Sequence, residues 1–177
     1  GYTRELTILD TNYSGATATG NADVLNLAVS GTTFGATAAT QSSVVLTAGS
    51  ASVLETLNVT SSGAAANVFN LDASTNVTLS TVNLLGEADA TARVAAGDVT
   101  GLTIKGDDAT GAVTLRVDTN STSAALNAAN FSGIDNIIMA DSTVGSDNAS
   151  IATLTSGQKI TLGDDFGGEN SVFTVQG

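Results

Sequence analysis

The sequence predicts an all-β fold, a parallel β-solenoid with coils of about 20–25 residues, and three observations predict it. One phrase recurs, apolar, two polar, apolar, polar, apolar. It reads Leu54-Glu-Thr-Leu57-Asn-Val59, then Leu79-Ser-Thr-Val82-Asn-Leu84, Val99-Thr-Gly-Leu102-Thr-Ile104 and Ile134-Asp-Asn-Ile137-Ile-Met139. Short runs of Val, Leu, Ile and Thr alternate with period two between Gly, Asn, Asp and Ser, and helix caps followed by 3.6-residue stripes are missing. Finally, hydrophobic residues reach 42% while aromatics stop at 4%. Such a chain has few bulky side chains for a round core and suits thin layers of aliphatic residues between close sheets.

The strands follow in order. Glu-Leu-Thr-Ile-Leu at 5–9 and Leu25-Asn-Leu27-Ala-Val29 within 23–29 alternate cleanly, and Val-Val-Leu fills 43–47. The first phrase supplies 55–59, and Val68-Phe-Asn-Leu71 supplies 67–71. Further strands are predicted at 77–84, 100–104, 112–117 (Val113-Thr-Leu115-Arg-Val117), 135–139, 158–162 and 172–175. The Ala-rich stretch 122–130 has room for one or two helical turns. The phrases start at 54, 79, 99 and 134, so they lie 25, 20 and 35 residues apart, irregular multiples of one coil. Leu57-Asn-Val59 is followed nine residues later by Val68, and Leu102-Thr-Ile104 is followed nine residues later by Val113, each in a second alternating strand. Two strands and two turns make one coil.

Alternation also assigns the core. Leu57, Val59, Val82, Leu84, Leu102, Ile104, Ile137 and Met139 are expected to point inward, with Asn58 outward, because stacked coils need the same residue types at the same height. Phe69, Phe131, Phe166 and Phe173 read as core or as caps of the stack. A β-sandwich or jelly roll of short antiparallel strands is the alternative that the same alternation allows. Residues 1–177 are read as a single repetitive β domain, a module of a longer secreted protein. Its end strands, near Leu6–Leu9 and Val172–Val175, are expected to pair with another copy or with flanking sequence.

Seventeen acidic against five basic residues give a formal net charge of −12. That charge repels nucleic acid and anionic membrane surfaces, and no run approaches the roughly 20 apolar residues of a membrane helix. The chain has no Cys and no His, which removes disulfides, thiolate zinc sites and the usual neutral-pH proton carrier. Glu87 with Asp89, or Asp107 with Asp108, could be cast as a sugar-cleaving pair. Arg93, Lys105, Arg116 and Lys159 are scattered, however, and stacking aromatics are few, so no enzyme is expected.

Gly106-Asp107-Asp108 and Gly163-Asp164-Asp165 place adjacent carboxylates at strand ends beside a glycine, and Glu169 and Asn170 add oxygens to the second turn. Ca²⁺ takes six to eight oxygen ligands, and turns of this composition supply them; the plainer reading is a solvated turn in which Asp bonds its own backbone. Asp72, Asp118, Asp141 and Asp147 stand singly. Sequons at Asn12, Asn58, Asn76, Asn120, Asn130 and Asn148 are what chance yields in a chain this rich in Asn, Ser and Thr.

Val53-Leu-Glu-Thr-Leu-Asn-Val-Thr-Ser-Ser-Gly63 and Gly133-Ile-Asp-Asn-Ile-Ile-Met139, set in an acidic chain rich in Thr, Ser, Ala, Gly and Asn, resemble the repetitive regions of bacterial surface-layer proteins and related RTX-type secreted proteins. The resemblance implies a calcium-bound β-solenoid that assembles into a lattice on a bacterial surface. The calcium nonapeptide of those proteins has no complete copy here; the nearest stretch, Gly163–Val172, has Asn170 where its third Gly stands and Val172 where its Asp stands. The functional expectation is a structural, self-associating module of an extracellular bacterial surface-layer protein. A cell-surface polysaccharide is a possible partner, and a module of an adhesin or biofilm-matrix protein that binds a host or sugar ligand is the alternative.

Overall fold

The computed structural model describes residues 5–9, 23–31, 43–47, 54–72, 79–99, 101–119, 124–140, 148–154, 157–163 and 172–176. Its strands are β1 (Glu5–Leu9), β2 (Asp23–Ser30), β3 (Ser43–Thr47), β4 (Leu54–Ser62), β5 (Asn67–Asp72), β6 (Thr81–Gly86) and β7 (Ala90–Ala95). A helical turn α1 (Ala96–Val99) follows, then β8 (Thr103–Lys105), β9 (Val113–Asp118), β10 (Ala124–Asn127), β11 (Phe131–Ser132), β12 (Asn136–Ala140), β13 (Asn148–Ala152), β14 (Lys159–Leu162) and β15 (Val172–Gln176). Every strand pairing among the described residues is parallel. The protein is therefore a parallel β-solenoid, not an antiparallel sandwich or jelly roll.

Three sheets carry the coils. The first holds seven strands in the order β1-β3-β5-β7-β9-β12-β14, the second five in the order β2-β4-β6-β8-β11, and the third three in the order β10-β13-β15. Early coils step from the second sheet to the first, as β4 to β5 and β6 to β7. From α1 onward the chain also builds a third side, where α1 lies against β10.

The interior is a set of columns. In the second sheet Leu25, Leu57, Val82, Ile104 and Phe131 stack in register, beside Leu27, Val59 and Leu84. In the first, Phe69, Ala92, Leu115, Ile137 and Ile160 form one column, and Leu71, Val94, Val117, Met139 and Leu162 another. Phe69 sits over Ala92, so a large side chain meets a small one and the layer stays even. All eight residues assigned inward by alternation are buried, the most exposed being Leu102 at 4%. Each such aliphatic side chain removed from water stabilises the stack by about 1.5–3 kcal/mol.

Phrase and coil do not coincide throughout. Leu57 pairs with Val82, 25 residues on as the repeat predicts, but Val82 pairs with Ile104 rather than Leu102. The third phrase has slipped by two residues, which preserves its inward parity. The fourth phrase lies on the first sheet, where Ile137 faces Leu115. Val68 and Val113, matched by the nine-residue echo, also part company: Val68 joins the outward column of Thr91 and Thr114, and Val113 is buried.

Other expectations are corrected. β7, β10 and β13 were not foreseen, since Ala and Asn blur their alternation, nor was β11, whose two residues are too few to show any. The Ala-rich 122–130 region contains strand β10 and then a 3-10 turn at Ala128–Asn130, capped by Asn127, whose Oδ1 accepts from Ala129 N at 3.1 Å. Among the described residues of the stretch, that 3-10 turn is the one helical turn; an α-helical turn lies earlier, at 96–99. Coil length also varies more than predicted: Asn83 lies 25 residues from its stacked partner Asn58, whereas Asn58 lies 32 residues from Asn26.

Polar ladders line the outside. Asn58 Nδ2 donates to Asn26 Oδ1 at 2.8 Å and Asn83 Nδ2 to Asn58 Oδ1 at 2.7 Å, so one amide per coil links three coils. On the first sheet Arg93 and Arg116 both bond Asp118, at 2.7 Å and 2.9 Å, in a largely buried network. Inside the corner Asn67 is fully buried, and its Nδ2 donates to Ser61 Oγ and to Ser62 O, both at 2.9 Å, which satisfies the amide where bare burial would be costly.

Candidate functional site

The corner that joins the second sheet to the first is the place where carboxylates gather. Successive coils bring there Glu87 and Asp89, then Asp107 and Asp108, then Asp135, all exposed. Lys105, at the end of β8, adjoins them. The corner exists because the backbones of adjacent coils touch. A Cβ on Gly106 would lie 2.4 Å from Gly133 O, and one on Gly133, whose φ is +61°, would lie 2.2 Å from Asp107 N. Only glycine permits that approach. The Gly106 N–H then donates to Ser132 O at 2.8 Å and the Ala90 N–H to Ala112 O at 2.9 Å, so the turns are laddered like the strands.

Three of these carboxylates already hold neighbouring coils. Asp89 Oδ1 accepts from the Ala112 N–H at 2.8 Å, and Asp135 Oδ2 accepts from the Val113 N–H at 2.8 Å. Asp107 accepts a hydrogen bond from the Ser132 hydroxyl. Between the turns lies an open groove of about 490 Å³, lined by Gly106, Asp107, Thr110, Gly111, Gly133 and Asp135 among others.

The structure brings Asp107 and Asp108 onto one exposed turn, with Asp135 and Asp89 beside it on neighbouring coils. Asp164, Asp165, Glu169 and Asn170 lie outside the described residues. Among the described residues no three acidic side chains converge closely enough to hold a metal ion. What the corner offers is a ridge of hard oxygens open to solvent, suited to loose contact with a divalent cation or a basic surface rather than to a closed cage. The Glu87 and Asp89 pair belongs to this ridge, with Asp89 engaged on a backbone amide. Arg93 and Arg116 are occupied on the outer face of the first sheet with Asp118.

Asp135 escaped the sequence reading. Its signal was present, an Asp between Gly133 and a strand, in the same setting as Asp107 after Gly106, but nothing local says that residues 28 apart share one corner. A second meeting of carboxylates occurs where β2 and β4 begin, at an irregularity in their register. There Glu55 Oε2 accepts from the Asp23 N–H at 2.8 Å, and Asp23 Oδ2 is buried with no hydrogen-bond partner among the described residues.

Comparisons with protein families, with curated proteins and with solved structures return no match for this chain.

Proposed function

We propose that this chain is a structural, non-enzymatic module of an extracellular bacterial surface-layer protein, which associates side by side with further copies and uses Ca²⁺ to bridge acidic turns. The observation that carries the reading is the exposed ridge of Glu87, Asp89, Asp107, Asp108 and Asp135 along one edge of a solenoid. A stack of hydrogen-bonded coils presents its charges at fixed spacing, about 4.8 Å per coil. Two such ridges repel each other unless cations lie between them, and bridging requires no preformed cage on either copy. The phrase and composition shared with surface-layer and RTX-type proteins support the same reading.

Electron microscopy of the purified chain with millimolar Ca²⁺ and with chelator tests it. Sheets or laterally packed bundles that form with Ca²⁺ and disperse on chelation are the expected result. Single particles under both conditions would overturn lateral, calcium-bridged assembly. The runner-up, a module of an adhesin or biofilm-matrix protein that binds a surface polysaccharide, draws on the flat ladder of Asn26, Asn58 and Asn83 and its flanking Thr56, Thr81 and Thr103. Retention on an immobilised polysaccharide by a chain that stays monomeric in Ca²⁺ would favour it.

A further inference from the structure

The three sheets do not begin on the same coil. The coil of β6 and β7 passes through α1 before it reaches β8, so a helical turn forms its third side, whereas later coils put β10, β13 and β15 there. β10 is therefore the first strand of the third sheet, and among the described residues one side of its backbone has no strand partner. This edge lies within the stack, between the coil of β6 and β7 and the coil of β8 and β9. An open strand edge is a template for pairing with another chain.

What lies against this edge is α1. Its buried residues, Ala96 and Val99, belong to the same apolar cluster as Leu126 of β10 and Ile151 of β13, while Gly97 faces solvent. The Leu102 N–H donates to Val99 O at 3.1 Å, and Gly101, with φ at +89°, turns the chain toward β8. A helix advances about 1.5 Å per residue against about 3.3 Å for a strand, so α1 can lie on the edge but cannot match its row of donors and acceptors. We propose that α1 is an edge guard, which shields β10 from strand addition by a second copy of the chain and exposes a pairing surface when it opens. Ala96 has one methyl group to bury, so Val99 supplies most of the hold. The guard opens locally, without unfolding the sheets. It is independent of the acidic ridge, of calcium and of the surface-layer reading.

The test compares Val99→Ser with Val59→Ser in the 177-residue chain. Both remove the same side chain from a buried site, but Val59 lies on β4, away from α1. Hydrogen exchange of residues 124–127 is the first readout. The β10 amides that do not donate to β13 should exchange about ten-fold faster or more in Val99→Ser than in Val59→Ser, as expected from losing a buried Val. Sedimentation in chelator, which removes calcium-bridged contacts, is the second. Species that grow with concentration should appear in Val99→Ser, be absent from Val59→Ser, and be lost again when Ala125→Lys puts a charge on the exposed face of β10. Gly97→Ala works in the opposite direction and leaves the core intact. By strengthening the helical turn it should slow exchange of the same amides about four- to five-fold. Equal exchange in the two Ser variants would overturn the proposal. So would equal association in both, association untouched by Ala125→Lys, or exchange unchanged by Gly97→Ala.

Discussion

Replacing Gly86 with Ala probes how closely the coils stack. Gly86 ends β6 opposite Ser61 of β4, its φ is +106°, and a Cβ there would lie 2.1 Å from Ser61 O and 2.9 Å from Ser61 N. Its own carbonyl accepts from the Thr110 N–H at 2.9 Å on the coil beyond. The residue is thus held between two backbones, and neither is a flexible side-chain end that can swing away. Two costs add. Forcing Ala into that region of backbone space costs about 1–3 kcal/mol, and wedging a methyl group into closed packing costs about 1–3 kcal/mol more. Gly101 separates them, because its φ is +89° but a Cβ there meets nothing within 4 Å. Gly101→Ala should therefore lose only the first amount. Gly97, inside α1 with neither constraint, should be neutral or gain up to about 1 kcal/mol as Ala. The assay is urea unfolding of the three variants, compared at unchanged m-value so that midpoint shifts report stability. Equal losses for Gly86→Ala and Gly101→Ala would refute the close approach of β4 and β6 at Ser61.

Three further outcomes are expected. Leu102→Asp puts a carboxylate at a buried position beside Ile104 and should lower stability by several kcal/mol; an unchanged melting temperature would refute an inward Leu102. Asn58→Ala removes the middle rung of the amide ladder, which donates to Asn26 and accepts from Asn83, and in this half-exposed setting should lower stability by about 1–2 kcal/mol, read by urea unfolding. If Ca²⁺ bridges the acidic turns, millimolar Ca²⁺ should raise the melting temperature by mass action, chelator should reverse the rise, and Mg²⁺ should act less because it holds its water more tightly; identical melting curves in Ca²⁺ and chelator would leave the ridge a solubilising surface.

By itself the sequence determined that the chain is all-β and which residues of the recurring phrase point inward, and it favoured a solenoid over a sandwich; the parallel pairing of the strands decided between them. Period-two alternation is written along a few consecutive residues, and the demand that stacked coils bury like on like repeats it, so Leu57, Val59, Val82 and Leu84 were legible without coordinates. The Asp107 and Asp108 turn was legible for the same local reason. Tertiary structure alone decided which residues stack on which. Ile104 rather than Leu102 joins the column of Val82, because a slip of two residues leaves parity, and hence every inward assignment, unchanged. Register depends on how many residues the intervening turn spends, which alternation does not encode. The acidic ridge arises the same way. Glu87 with Asp89, Asp107 with Asp108, and Asp135 come from three separate stretches of sequence and are brought to one corner by the coil, where contacts such as Gly106 against Gly133 set one turn upon another.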